Sequence, residues 1–301
     1  MEIVHIPVMK EEVLSFLHPV SDDPVMIDCT TGEGGHTYAM LKAYPELKVI
    51  GLDRDSGIQA KAIERMKEFG NRFEPVNCWF NDYLEKAEDN SADMILFDLG
   101  ISVYHYAESN RGFSFRKDEK LDMRLDLNQR LSAETIVNEY DEKELADLIY
   151  QYSEERYSRR IAKRIVEERK KGRITSSAAL AEIISQSVPP AYRYARINPA
   201  TRTFQALRIE VNRELDRITP ALKEAVRVVK PGGRIAVITF HSLEDRQVKW
   251  FFKRNAEEEK QVKVLTKHPV VAGEEECSLN PPSRSAKLRV AEKTEGKHGK
   301  D

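Results

Sequence analysis

Three short segments hold residue types and spacings that could do chemistry. MIDCTTGEGGHT, residues 26–37, places Gly32, Gly34 and Gly35 directly after an apolar run. KVIGLDRD ends its apolar run at Asp53, and DMILFDLG ends its run at Asp98. Glycines after a strand let a ligand approach the backbone closely. An acidic residue at the end of the second strand, about 20 residues past the glycines, suits a ribose hydroxyl pair. A dinucleotide fingerprint would need G-x-G-x-x-G, and here the third slot is Thr37; no Gly-Lys-Ser/Thr follows for a P-loop either. The segment favours a nucleoside without a pyrophosphate. An ordinary strand–helix turn is the plainer alternative.

These segments need a frame that brings strand ends together. Residues 25–28 read as a buried strand and HTYAMLKAY as the helix after it. VMKEEVLSFL has a helical face through residues 8, 9, 13, 16 and 17. Strands follow at 48–53, near 73–77 and at 93–100, with a helix over 56–69. Such alternation predicts a parallel sheet with helices on both faces, and ligands bind at the carboxyl ends of its strands. The glycine loop, Asp53 and Asp98 all fall at that edge. From residue 102 to 220 no convincing strand occurs. A polar loop with aromatics gives way to helices: one opened by Ser132, one by Asp141 with Glu144 in a capping-box pattern, a basic one over 153–173, and SAALAEIISQSV, stopped by Pro189 and Pro190. Strands resume in GRIAVITF after the turn signal Pro231-Gly232-Gly233, then in QVKVLT and SAKLRVAEK. The expected division is an α/β domain in two parts, 1–108 and 211–301, split by a helical insertion at 109–210.

Bulk properties narrow the class. The chain has 301 residues, 41% hydrophobic and 33% charged. No run approaches the ~18 apolar residues of a membrane span, and MEIVHIPVMKEEV lacks the pattern of a secretory signal. Cys29, Cys78 and Cys277 are scattered, which argues against a disulfide framework and a cysteine-rich zinc site. A cytoplasmic location is expected. The net charge of −2 gives no overall basic footprint for nucleic acid. Charge is uneven, however: Ser153 to Arg173 carries nine Lys/Arg against four Glu.

The segments HIPVM, DCTTGEGGHT, DLGIS, NRGFSF, LDMRLD, TRTFQALRIEVNREL, PGGRIAVITFHSLEDRQVK and NPPSRSAKLRVAEK occur in that order, from residue 5 to 293. Together they resemble the bacterial ribosomal small-subunit (16S) RNA cytidine N4-methyltransferase family. The resemblance implies an α/β fold: a class I S-adenosylmethionine-dependent methyltransferase (Rossmann-like) sheet with an inserted all-helical domain for substrate recognition. It implies S-adenosyl-L-methionine as cofactor, no metal, and a cytidine of the decoding region of 16S rRNA as target, within an assembled or nearly assembled small subunit. Carried over residue by residue, the cofactor contacts fall on Gly34, Gly35, His36, Asp53, Phe80, Asp98 and His105. At the last position the chain departs from the family: DLGISVYH stands where D-L-G-V-S-S-P-Q is usual, so a histidine replaces a glutamine.

Asp98 is the expected catalytic residue. The N4 lone pair of cytosine is delocalised into the ring, and a carboxylate accepting from the amine could localise it towards the methyl group. A purely cofactor-binding role is the alternative. The base must leave its stack, and aromatic residues among arginines suit that task. The candidates are Phe113 and Phe115 beside Arg111 and Arg116, and Tyr192, Tyr194 and Phe204 among Arg193, Arg196 and Arg202 in AYRYARINPATRTF. The basic stretch 153–173 shows no aromatic interleaving on its polar face, so a solvated surface reads as well there as an RNA contact. His241 could lie near the substrate or cap a strand end. A nucleotide-dependent oxidoreductase, a small-molecule methyltransferase with a helical lid and a non-catalytic RNA-binding module are the rival functions.

Overall fold

The computed structural model describes residues 6–194 and 197–295. Contacts divide the chain into two compact units, Met1–Gly100 with Leu215–Asp301, and Ile101–Glu214.

The first unit is built on a seven-stranded sheet: β1 (Val25–Asp28), β2 (Lys48–Asp53), β3 (Phe73–Asn77), β4 (Ala92–Asp98), β5 (Val229–Thr239), β6 (Val262–Val264) and β7 (Lys287–Lys293), in the order β3-β2-β1-β4-β5-β7-β6. The first five strands pair in parallel, and β7 runs antiparallel to both β5 and β6. This is the class I methyltransferase sheet. Its strand order reverses between β1 and β4, which makes the carboxyl ends of β1, β2 and β4 the place for a ligand.

Alternate residues of a strand face opposite sides of a sheet. Ile27, Ile95, Phe97, Ile235 and Val237 therefore enter one apolar core. Met26, Met94, Leu96, Ala236 and Ile238 enter another. The helices of this unit are α1 (Lys10–Phe16), α2 (Gly35–Ala43), α3 (Ser56–Met66) and α4 (Phe80–Lys86) before the insertion.

The second unit is helical: α5 (Val103–Ala107), α6 (Ala133–Glu139), α7 (Glu142–Ser153), α8 (Ser158–Arg169), α9 (Ser177–Ser187), α10 (Pro190–Arg193) and α11 (Ala200–Asn212). Ser132 caps α6, and Asp141 with Glu144 forms the expected capping box on α7. After it the chain returns through α12 (Glu214–Val228), α13 (Ser242–Arg254) and α14 (Glu274–Leu279). This unit starts earlier and ends later than the expected 109–210. Ile101 packs on its core, Val211 lies within it, and Asn212 binds Leu125 N at 2.9 Å and Met123 O at 2.9 Å.

Two local expectations differ. The basic helix expected over 153–173 is the shorter α8, because Glu154 takes a left-handed conformation, φ 53°, that ends α7. Pro231-Gly232-Gly233 does not precede a strand but lies inside β5. Gly232 at φ 78° and a register shift opposite Ala92 and Met94 let the strand absorb the irregularity as a bulge.

The amino end of β4 is pinned by Asp93, which is fully buried. It accepts from Val20 N and Val25 N at 3.0 Å, Ser21 Oγ at 2.6 Å and Lys230 Nζ at 2.7 Å. These donors hold its carboxyl below the usual carboxylate range against the opposing effect of burial. Removing the acceptor leaves four part-buried donors without their partner at once. Asp93→Ala should lower unfolding free energy by about 2–4 kcal/mol while leaving ligand affinity at the far strand ends intact. Chemical denaturation measures the loss, and a stability within ~0.5 kcal/mol of the parent would contradict it.

Candidate active site

Each strand at the switch point ends in a carboxylate: Asp28 on β1, Asp53 on β2 and Asp98 on β4. Asp28 was not singled out in the sequence. Its signal was an acid closing the apolar run just before the glycines, the same position in β1 that Asp53 and Asp98 hold in their strands.

Asp28 shapes the loop. Its Oδ1 accepts from Thr30 N at 3.2 Å and its Oδ2 from Thr37 Oγ1 at 2.7 Å. Burial raises its pKa to about 6, although these bonds oppose the rise. Asp53 ties two loops together, accepting from Gly32 N at 2.9 Å and Asp55 N at 2.8 Å. Burial pushes it up to about 7, again against its hydrogen bonds. Asp98 is raised well above the usual range by burial first and by the charges of Asp28 and Glu244 second. About a quarter of its side chain, 24%, remains accessible, so water tempers the shift without reversing it. Among the described residues no Lys or Arg pairs with these three acids. The strand ends thus concentrate acceptor capacity with no fixed cation to satisfy it.

The glycine loop shows why its residues are small. Gly34 precedes α2 in a left-handed conformation, φ 77°. A Cβ on Gly35 would meet Pro7 at 3.0 Å, so the proline of HIPVM lies directly against the loop. His36, buried in the first turn of α2, brings Nε2 to 3.7 Å from Asp98 Oδ2. The first turn of a helix also offers backbone N–H groups with no intrahelical acceptor. Gly34, Gly35, His36, Asp53 and Asp98 therefore share one edge of the first unit. Phe80 opens α4 on the same unit, but it is 9% exposed and packs edge-on against Phe97, with ring centroids 5.5 Å apart. It serves the core as much as any ligand.

His105 belongs to the second unit, where its ring is buried between Tyr104 and Phe113, at 5.5 and 5.3 Å. Phe113, expected as an open platform for a base, is 4% exposed and part of the helical core. That expectation is corrected, because an aromatic that fills a core offers no free face. Phe115 is half-buried, edge-on to Phe204 at 5.0 Å. Arg111 donates to Arg124 O at 2.8 Å and stacks on Phe113. The segments NRGFSF and LDMRLD are thereby knitted into one loop, with Gly112 N donating to Glu119 Oε2 at 2.9 Å. Arg193 donates to Ser185 O, and the exposed Arg202 to Glu154 O. Arg196 lies outside the described residues. His241 is the N-cap of α13 in a capping box with Glu244, so the structure gives it an architectural role.

Comparison with known proteins places this geometry. The model of the MraW methylase family matches residues 2–294. The ribosomal RNA small subunit methyltransferase H of Treponema denticola is 50% identical, with 97% of this chain and 98% of the relative covered. The proteins of the same name from Trichormus variabilis and Borrelia turicatae are 47% and 48% identical, covering 96% and 97% of this chain and 92% and 98% of theirs. With a class I sheet, a glycine turn at its switch point and unpaired carboxylates on the adjoining strand ends, the chain belongs to the MraW methylase family.

Proposed function

We propose that the protein transfers a methyl group from S-adenosyl-L-methionine to N4 of a cytidine in the decoding region of 16S rRNA. The observation that carries this reading is the row of Asp28, Asp53 and Asp98 beside the left-handed Gly34 turn, in a chain of this family. The donor set fits the cofactor. A nucleoside without phosphates needs no P-loop lysine, a ribose diol needs an acceptor such as Asp53, and a ligand carrying positive charge suits acids that lack a cation. Gly34, Gly35 and His36 would hold its amino-acid end, and Phe80 and His105 complete the proposed contacts. When bound, it supplies a methyl group already activated on a sulfonium, so no metal is required.

Asp98 does the rest of the work on the base. Its carboxylate accepts from the N4 amine and aims the nitrogen lone pair at the methyl carbon, with reacting atoms held ~3–3.5 Å apart. As the C–N bond forms and the methyl–sulfur bond breaks, one N4 proton must leave, and the Asp98 carboxylate hydrogen-bonded to the amine would be placed to take it. Arg111, Phe115, Arg193, Arg196 and Arg202 are proposed to contact RNA from the helical unit. The substrate is an assembled or nearly assembled small subunit in the cytoplasm. This is supported by the cost of unstacking a base, a few kcal/mol, which is smaller where the RNA is already distorted. Among the described residues no helix is long and apolar enough to cross a membrane.

The pKa of Asp53 gives a signed test. The ribose diol donates best to the ionised carboxylate, and Asp53 is protonated below about pH 7. Cofactor affinity should therefore rise with pH up to that value, by at most about tenfold per unit. Asp53→Asn keeps one acceptor oxygen but has no charge to gain, so its affinity should be weaker and flat over the same range. Calorimetry from pH 5.5 to 8 measures both, and an Asn variant that keeps the parent's slope would remove Asp53 from the ribose. Asp98→Asn tests the chemistry: its NH2 would oppose the amine's own donors. Single-turnover methyl transfer to small subunits should fall ~10²-fold or more, with cofactor affinity changed much less. A rate that returns to the parent value at saturating cofactor would show that Asp98 only binds.

A further inference from the structure

The helical unit carries a set of cations that nothing in the proposed chemistry uses. Arg156, Arg159, Arg160 and Lys163 are all exposed, and their spacing of i, i+3, i+4 and i+7 puts them on one face of α8 and its entry. Ile161, Ala162 and Ile165 occupy the opposite, buried face. None of the four forms an ion pair among the described residues. Three cations further along the stretch behave differently. Arg164 and Lys171 both pair with Glu168 at 2.8 Å, and Arg173 pairs with Glu134 at 2.7 Å. Along one basic stretch, then, Arg164, Lys171 and Arg173 are paired with acids, and the four cations of the first half are left open.

The open half is also held in place. The Arg156 guanidinium lies over the rings of Tyr157 and Tyr192, at 4.9 and 5.0 Å, and Arg160 lies 5.9 Å from the Tyr157 ring. The two tyrosines meet edge to face at 5.0 Å. Beneath them Glu155 is fully buried. It accepts from Tyr192 Oη at 2.5 Å and from Tyr157 N at 2.8 Å. The aromatic partner that α8 lacks in sequence comes from Tyr192, on α10. Beside it, Tyr194 stands 83% exposed. A fixed guanidinium plane loses less freedom on meeting a phosphate than a solvated one.

We infer that this face anchors the phosphate backbone of the RNA substrate, with Arg156, Arg159, Arg160 and Lys163 as the phosphate contacts and Tyr194 as a platform for an unstacked base. Unpaired cations in a row call for a polyanion, and aromatic residues interleaved with arginine favour RNA over an acidic protein surface. The inference rests on the reading that this chain acts on ribosomal RNA, and it adds a surface to that reading.

Salt dependence tests it. Each lost phosphate contact should flatten the dependence of log affinity on log salt by about 0.7–0.9. The variant with Arg159→Ala, Arg160→Ala and Lys163→Ala should bind deproteinised small-subunit RNA with a slope shallower by about 2–3, while its cofactor affinity and thermal midpoint match the parent. The comparison variant, Arg164→Ala with Lys171→Ala, removes cations that already have partners and should keep the parent slope. An unchanged slope in the triple variant overturns the inference. So does an equal change in the comparison variant, which would mean that only overall charge matters. A deficit seen with assembled subunits but not with free RNA also overturns it, because the partner would then be a protein. Methyl transfer by the parent protein is scored separately: its absence would sink the proposed activity and leave the slope comparison standing.

Discussion

Unpaired negative charge at the ends of three adjoining strands is the constraint around which the first unit is built. Carboxylates dislike low dielectric surroundings, and without a cation nearby they answer by raising their pKa. Asp28 and Asp53 are pushed to about 6 and about 7 by burial. Such groups cost stability as pH rises. Their protonated forms are the ones the fold accommodates, so the contribution is favourable below the ordinary carboxylate value near 3.8 and is lost as pH passes through 6 and 7. The protein limits this cost by giving both acids backbone N–H donors from the loops around them. That arrangement makes the acids the organisers of the loops: Asp28 fixes the turn to Thr37, and Asp53 joins Gly32 to Asp55.

The second unit answers a different problem. A helical insertion of this length must bury a core of its own, and its recognised sequence segments turn out to serve that core first. Phe113 fills it, Arg111 and Asp122 tie its loop, and Asn212 closes its end. On the outside of α8, by contrast, two tyrosine rings above the buried Glu155 hold Arg156 in place, with no carboxylate neutralising it.

Much of this was legible in the sequence, for reasons of range. All seven strands, the capping box at Asp141 and the two acids Asp53 and Asp98 follow from local pattern, because apolar periodicity and strand-end chemistry are written in consecutive residues. The features that escaped depend on partners far along the chain. Nothing near Phe113 or Phe80 tells whether the ring is covered. The proline-glycine-glycine segment reads as a turn until the pairing of β5 with β4 shows a bulge. Tyr157 and Tyr192 are separated by α8 and α9, so the ladder over Arg156 cannot be seen in either segment alone.

The two acids of β4 show how far environment outweighs residue type. Asp93 and Asp98 stand at opposite ends of one strand, five residues apart. Asp93 collects two backbone donors, a hydroxyl and the Lys230 ammonium, and its pKa falls although its side chain is fully covered. Asp98 keeps partial access to water, yet burial first and the charges of Asp28 and Glu244 second raise its pKa. Solvent exposure alone would predict the reverse order. The deciding difference is the set of donors: Asp93 has four hydrogen bonds to oppose the effect of burial, and Asp98 has none comparable. A lysine at the amino end makes a clamp that holds the sheet. At the carboxyl end no lysine or arginine among the described residues pairs with Asp98, and the carboxylate there keeps acceptor capacity that the amino-end clamp has used up.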